Sequence, residues 1–116
     1  MHQHHRIDYI EFPVSDLAAA KRFYGAAFGW EFTDYGDTYV GISGGPGAPE
    51  AGGFALTDHV TSGGPLVILF SDDLDASVSA VEAAGGEIVA GPYDFPGGRR
   101  FEFDDPDGHR LAVWAE

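Results

Sequence analysis

The chain repeats itself. Asp16-Leu17 and Asp73-Leu74 each close a short apolar run and open an alanine-rich segment, and they stand 57 residues apart. At the same offset Ala19 meets Ala76, Ala27 meets Ala84 and Gly29 meets Gly86. Each copy reads as a strand, an acidic turn, a helix, a glycine and several short strands. A unit of about 50 residues buries too little surface to cover its own sheet, so the sequence predicts one domain made of two paired modules.

The copies can be followed strand by strand. Arg6 to Val14 alternates, with Ile10 and Phe12 on one face and Tyr9 and Glu11 on the other, and Pro13 closes the run. Ser15 or Asp16 caps a helix that runs to Phe28, with Leu17, Ala20, Tyr24, Ala27 and Phe28 on its apolar stripe and Gly29 as a left-handed stop. Gly25 in the middle of that helix costs about 1 kcal/mol against Ala, which predicts close packing there. Trp30 to Tyr35 and Thr38 to Ser43 form a hairpin, residues 44–53 a Gly- and Pro-rich loop, and Gly53 to Thr57 a short strand.

In the second copy Pro65 to Ser71 is apolar on both faces and reads as a covered strand. Asp72 or Asp73 caps a helix carrying Leu74, Val78 and Val81 that stops at Gly85-Gly86. Glu87 to Ala90 is a strand, residues 92–98 a turn-rich crossing, and Arg99 to Asp104 with Arg110 to Ala115 a hairpin. Asp104, Asp105 and Asp107 lack the spacing of a calcium loop and read as turn formers. Residues 1–6 are expected to fray, leaving a single domain at 7–116: module one at 7–57, a linker at 58–64 that contains His59, and module two at 65–116.

Six basic residues against nineteen acidic ones give a formal net charge of -13, which excludes a nucleic-acid partner because phosphates need a basic footprint. There is no cysteine, so disulfides and thiolate chemistry are absent. No apolar run reaches the roughly 18 residues of a membrane span, and no signal segment opens the chain, so a cytoplasmic location is expected.

Several motifs together resemble the vicinal oxygen chelate superfamily, which includes glyoxalase I, bleomycin-resistance proteins and extradiol dioxygenases. They are Phe12-Pro13-Val14-Ser15-Asp16-Leu17, Arg22-Phe23-Tyr24 with Phe28-Gly29-Trp30, and Phe103-Asp104-Asp105-Pro106-Asp107-Gly108. The resemblance covers about residues 7 to 115. It implies an α+β fold in which two βαβββ modules form a curled mixed β-sheet around a cleft, with helices on the outer face. It also implies a small-molecule ligand and assembly as a homodimer.

Metal-dependent members of that superfamily take ligands from four strands. Carried over, those positions fall on Tyr9, Leu66, Ala112 and the neighbourhood of Gly53 and Ala55. Leucine and alanine cannot bind a cation, and a lone phenol is a poor site. The residues therefore predict no metal and no cofactor, and they place the chain nearer the bleomycin-resistance pattern.

If Tyr9 faces the cleft, alternation brings Glu11 with it, then Leu66, Ile68 and Phe70 from the second copy. Arg100, Glu102, Arg110, Ala112 and Trp114 follow from the closing hairpin, while Phe101, Phe103, Leu111 and Val113 turn to the helices. A carboxylate such as Glu11, midway along an apolar strand, has a raised pKa unless an arginine pairs with it. It is a candidate general base, as is Glu102 with Arg100 polarising a carbonyl; the alternative for Glu11 is an architectural ion pair with Arg100 or Arg110. Two functions follow as expectations. The first is metal-free binding of a small, partly aromatic or cationic molecule; the second is lyase or isomerase activity with Glu11 or Glu102 as base.

Overall fold

A computed structural model describes residues 2–58 and 64–116. His59, assigned above to the linker, lies outside the described residues. The fold is α+β, with two helices and eight strands of mixed direction among the described residues. The chain divides into two compact units, Tyr9–Leu66 and Val67–Glu116, the latter taking the residues up to Asp8 with it.

In the first unit the strands hydrogen-bond in the order β2-β3-β4-β1. These are β1 (Ile7–Val14), β2 (Phe32–Asp34), β3 (Tyr39–Ile42) and β4 (Gly52–Leu56), with α1 (Leu17–Phe28) following β1. β1 and β4 run parallel, Phe12 beside Phe54, while β3 pairs antiparallel with both β2 and β4. Alternation sends Phe12 and Val14 to the helix side, where they join Leu17, Tyr24, Trp30 and Phe32 around the buried Val40, Ile42 and Phe54. Tyr24 stacks on Trp30 with ring centroids 4.6 Å apart.

Two local expectations need correction. Pro13 does not end β1, which continues to Val14. Ile10 N donates to Ala51 O, so in this parallel ladder the N–H groups of even-numbered residues point at β4. The N–H that Pro13 lacks is on the other side, and the β1–β4 ladder loses nothing. Gly25 is not a close-packing site either. A Cβ there would sit 3.7 Å from the Phe32 ring and 3.8 Å from Trp30 O, which is ordinary van der Waals contact.

In the second unit the order is β5-β8-β7-β6, from β5 (Leu66–Phe70), β6 (Glu87–Phe95), β7 (Gly98–Asp104) and β8 (Arg110–Ala115), with α2 (Leu74–Ala83) after β5. β5 and β8 pair in parallel, as β1 and β4 do, and β6–β7–β8 is an antiparallel meander. Phe101, Phe103 and Val113 face α2, as alternation predicts, and pack with Leu69, Leu74, Val78 and Val81. The expected turn at 92–98 is largely strand. β6 runs through Pro92 to Phe95 with register irregularities between Ile88 and Ala90 and between Ala90 and Tyr93. It is the outer strand of this unit, and an edge with a bulge tolerates the missing proline N–H.

The helix caps obey the repeat. Asp16 accepts a hydrogen bond from Ala19 N at 3.0 Å and Asp73 accepts one from Ala76 N at 3.1 Å, each 57 residues from its counterpart. The far ends do not. Gly29 stops α1 with φ 72, whereas the left-handed residue after α2 is Gly85, with φ 101, rather than Gly86.

Residues 2–6, read from the sequence as a frayed end, make specific contacts. His5 N donates to Phe70 O at 2.7 Å and Phe70 N to Arg6 O at 3.1 Å. His5 Nε2 lies 3.0 Å from Ser77 Oγ, and Asp72 N donates to His4 Nδ1 at 2.8 Å. These bonds also satisfy the buried Ser77 hydroxyl, which shares a 2.8 Å bond with Ser71.

Candidate functional site

On the face of the first unit opposite α1, β1 presents Tyr9 and Glu11, as its alternation requires. The next two strands present almost nothing at the same level, because Glu11 lies beside Gly53 and Gly53 beside Gly41. A Cβ at Gly53 would collide with the Tyr39 ring, and one at Gly41 with the Glu50 carboxylate and Tyr35. The two glycines are thus a floor on which Tyr39 and Glu50 lie flat.

The result is a continuous phenol–carboxylate network. Tyr39 OH donates to Glu11 Oε1 at 3.1 Å and shares a 2.8 Å hydrogen bond with Tyr9 OH. Tyr9 OH also reaches Glu50 Oε1 at 3.0 Å, and Tyr35 OH donates to Glu50 Oε2 at 2.6 Å. Burial pushes both the Tyr9 and Tyr39 phenols well above their usual range, with Tyr39 and Glu50 adding to it for Tyr9 and the carboxylates Glu11 and Glu50 for Tyr39. For Tyr39 the hydrogen bond shared with Tyr9 works in the opposite direction. The hydrogen bond to Glu50 raises Tyr35. The three phenols therefore stay protonated as donors, and the carboxylates hold them in place.

The second unit carries a different set on the strand faces that look away from α2. Tyr93 OH donates to Glu102 Oε2 at 2.7 Å and accepts from Arg100 Nε at 2.5 Å; Arg100 also lies 3.6 Å from Glu102 and 5.6 Å from the Tyr93 ring centre. Burial and Glu102 raise the Tyr93 phenol, against the pull of Arg100. Beside this trio Phe70 and Trp114 pair across β5–β8, with ring centroids 5.2 Å apart. Ile68 and Ala112 are buried next to each other one step back.

Arg110 is not drawn inward. It is half exposed and clasps Asp104 at 2.5 Å, and that hydrogen bond lowers the Asp104 pKa. The acids around the β7–β8 turn shape the chain as expected: Asp105 Oδ1 accepts from the backbone N–H groups of Asp107 and His109, each at 2.9 Å.

Tyr39, Glu50 and Tyr93 were not singled out from the sequence. Tyr39 carries the same odd parity on β3 that Tyr9 has on β1, so alternation could have found it. Glu50 sits in a Gly- and Pro-rich loop, and Tyr93 in a segment whose proline disguised a strand. No local signal marks either one.

Residues 6–113 match the family model for the Glyoxalase/Bleomycin resistance protein/Dioxygenase superfamily. The chain belongs to this superfamily. It is 34% identical over 128 residues to the anthracycline biosynthesis protein DnrV of Streptomyces peucetius, covering 85% of this chain and 42% of that one. The chain thus spans about two-fifths of the length of that relative. A glyoxylase-like domain-containing protein of Didymella fabae is 29% identical, covering 95% of this chain and 93% of its own.

Among solved structures, the Mn(II)-bound glyoxalase from Novosphingobium aromaticivorans superposes with a TM-score of 0.71 at 25% identity, covering 99% of this chain and 40% of that one. A methylmalonyl-CoA epimerase superposes at 0.72 over 99% and 98% of the two chains, and at 13% identity it shares the fold alone.

Metal-dependent members of the superfamily hold their ion with side-chain donors, and the donor set here does not fit one. Tyr9 offers a protonated phenol already bonded to Tyr39 and Glu50, while Leu66, Ala112 and Gly53 carry no donor atom. Among the described residues no three His, Asp or Glu side chains converge in a group able to hold an ion. No described helix is long and apolar enough to cross a membrane.

Proposed function

We propose that the protein binds a small molecule without a metal, on the polar face of the first unit, and releases it unchanged. The observation that supports this most is the Tyr9–Tyr39–Glu11–Glu50 network laid over Gly41 and Gly53. Pre-positioned polar groups on a rigid strand surface are how small-molecule sites fix orientation. The carboxylates make the surface an acceptor, so its guest is a donor: a partly aromatic molecule bearing hydroxyl or ammonium groups. The likeness to a protein of anthracycline biosynthesis agrees with an aromatic guest of this kind. Assembly as a homodimer is part of the same reading, and solution mass tests it.

Calorimetric titration with flat aromatic compounds carrying hydroxyl or amine groups should give saturable binding near one equivalent, unaltered by chelator. Glu50→Gln and Tyr39→Phe should each weaken it about tenfold, the worth of one hydrogen bond involving a charged group. A stoichiometric transition metal bound away from residues 2–5, and needed for binding, would overturn the proposal.

A second reading has its own observation. Glu102 stands within bonding reach of a phenol and near a guanidinium, and Glu11 accepts from a phenol, so each is a carboxylate beside a proton donor. On this reading the protein is a lyase or isomerase with Glu11 or Glu102 as base. Glu11→Gln or Glu102→Gln would then abolish turnover with binding retained, and full activity in both variants would dismiss it.

A further inference from the structure

The residue that precedes the first strand by five positions occupies a slot of its own. The His2 ring stacks on Phe70, with centroids 5.1 Å apart and planes 20° apart, and meets Trp114 edge-on at 4.9 Å and 87°. Its Nδ1 lies 2.8 Å from Asp8 Oδ1. The other oxygen of that carboxylate, Oδ2, accepts from Trp114 Nε1 at 2.9 Å, so the indole fixes the acid in one orientation. Phe95 closes the far edge of the indole at 6.1 Å.

Each wall of this slot belongs to ordered strand structure, on β1, β5, β6 and β8. Its occupant does not: His2 reaches it from outside the strands. The slot has the two properties of a selective aromatic site, a flat apolar wall and one polar group held by a second residue. An imidazole fills it because a flat ring with an N–H at its edge satisfies both.

We propose that the Phe70–Trp114–Asp8 slot is a binding site for planar nitrogen heteroaromatic molecules with a ring N–H, and that His2 is its displaceable internal occupant. When His2 leaves, the Phe70 face and Asp8 Oδ1 are vacated together, and Trp114 Nε1 keeps the carboxylate aimed. His2 then acts as a competitor in cis: it lowers the apparent affinity for an external ring by the fraction of time the slot is filled. This site lies in the second unit and does not depend on the reading of the first.

The probe is imidazole itself, titrated into the full chain and followed by the Trp114 Nε1–H resonance. His2→Ala should bind it saturably, with an apparent affinity at least about tenfold above the unsubstituted protein, the expected release from an intramolecular competitor. Imidazole should also raise the melting temperature of His2→Ala and not that of His2→Ala with Asp8→Asn, since only a native state with a site is stabilised by ligand. His2→Gln, which keeps a side chain able to hydrogen-bond but removes the ring, should behave like His2→Ala and serves if the latter does not fold. Equal response in the presence and absence of His2, or a response that survives Asp8→Asn, overturns the proposal. Loss of the first unit's ligand binding in Glu50→Gln would leave it untouched.

Discussion

The two units are built to one plan and finished differently. In both, a parallel pair of strands brackets the helix, β1 with β4 and β5 with β8, and an aspartate 57 residues from its twin caps that helix. In both, the helix side is apolar and centres on one fully buried phenylalanine, Phe54 or Phe101. The opposite faces share only a tyrosine that donates to a glutamate, Tyr39 to Glu11 in the first and Tyr93 to Glu102 in the second. The first carries tyrosines and carboxylates over bare glycines, the second an aromatic slot beside an Arg–Tyr–Glu trio. The position of Tyr9 becomes Leu66 in the second copy, and that of Glu11 becomes Ile68. The repeat keeps what folds the module and varies the faces turned away from the helices.

If the scaffold is equivalent in the two units, the largest effect should be the same in each. Phe54→Ala and Phe101→Ala, both at 0% exposure, should each cost about 3–5 kcal/mol in denaturant unfolding. A difference of more than a factor of two between them would break the equivalence.

Alkaline titration should separate the faces. Tyr9 and Tyr39 have folded pKa values raised above the ordinary 10.0, so their contribution is complete below that pH. It is lost as pH rises, because the unfolded chain ionises its tyrosines while the folded one must hold them protonated. The melting temperature should therefore fall steeply above about pH 10, and the Tyr9→Phe, Tyr39→Phe double variant should fall less steeply. Tyr93→Phe should change the slope less, since Arg100 opposes the rise at that phenol. The same slope in all three proteins would remove the phenols of the first unit from the transition.

Gly53→Ala sharpens the contrast at one site. The new methyl must evict the Tyr39 ring, at an expected cost of about 1–3 kcal/mol for overpacking, and should abolish any ligand affinity of that face. Unchanged affinity would show that the network is ornamental. The smallest effect should be a gain. Gly25 is the counterpart of Glu82 by the repeat, a Cβ there makes only ordinary van der Waals contacts, and Gly25→Ala should stabilise α1 by about 0.5–1 kcal/mol.

Much of this scaffold is legible in the sequence because it is written in short-range chemistry. Asp16 and Asp73 announce helix starts, Gly29 a helix end, and alternation assigns Phe12 and Tyr9, or Phe101 and Arg100, to opposite faces. Prolines misled twice, at Pro13 and Pro92, because whether a missing N–H matters depends on which neighbour it would have faced. The candidate site was half legible. Tyr9, Glu11, Arg100, Glu102 and Trp114 follow from parity, whereas Glu50 meets Tyr9 across 41 residues of chain and His2 meets Trp114 across the whole unit. Such meetings are set by how loops return, which no window of sequence contains.

The bare pair Gly41 and Gly53 has a consequence for how the proposed ligand face could change. Because nothing rises from beneath, the relief of the first unit's face is drawn by side chains leaning in from its margins, one of them on a loop. Exchanging residue 50 alone would redraw that relief while every strand kept its register, so, if the face binds as proposed, its preference could shift without disturbing the frame.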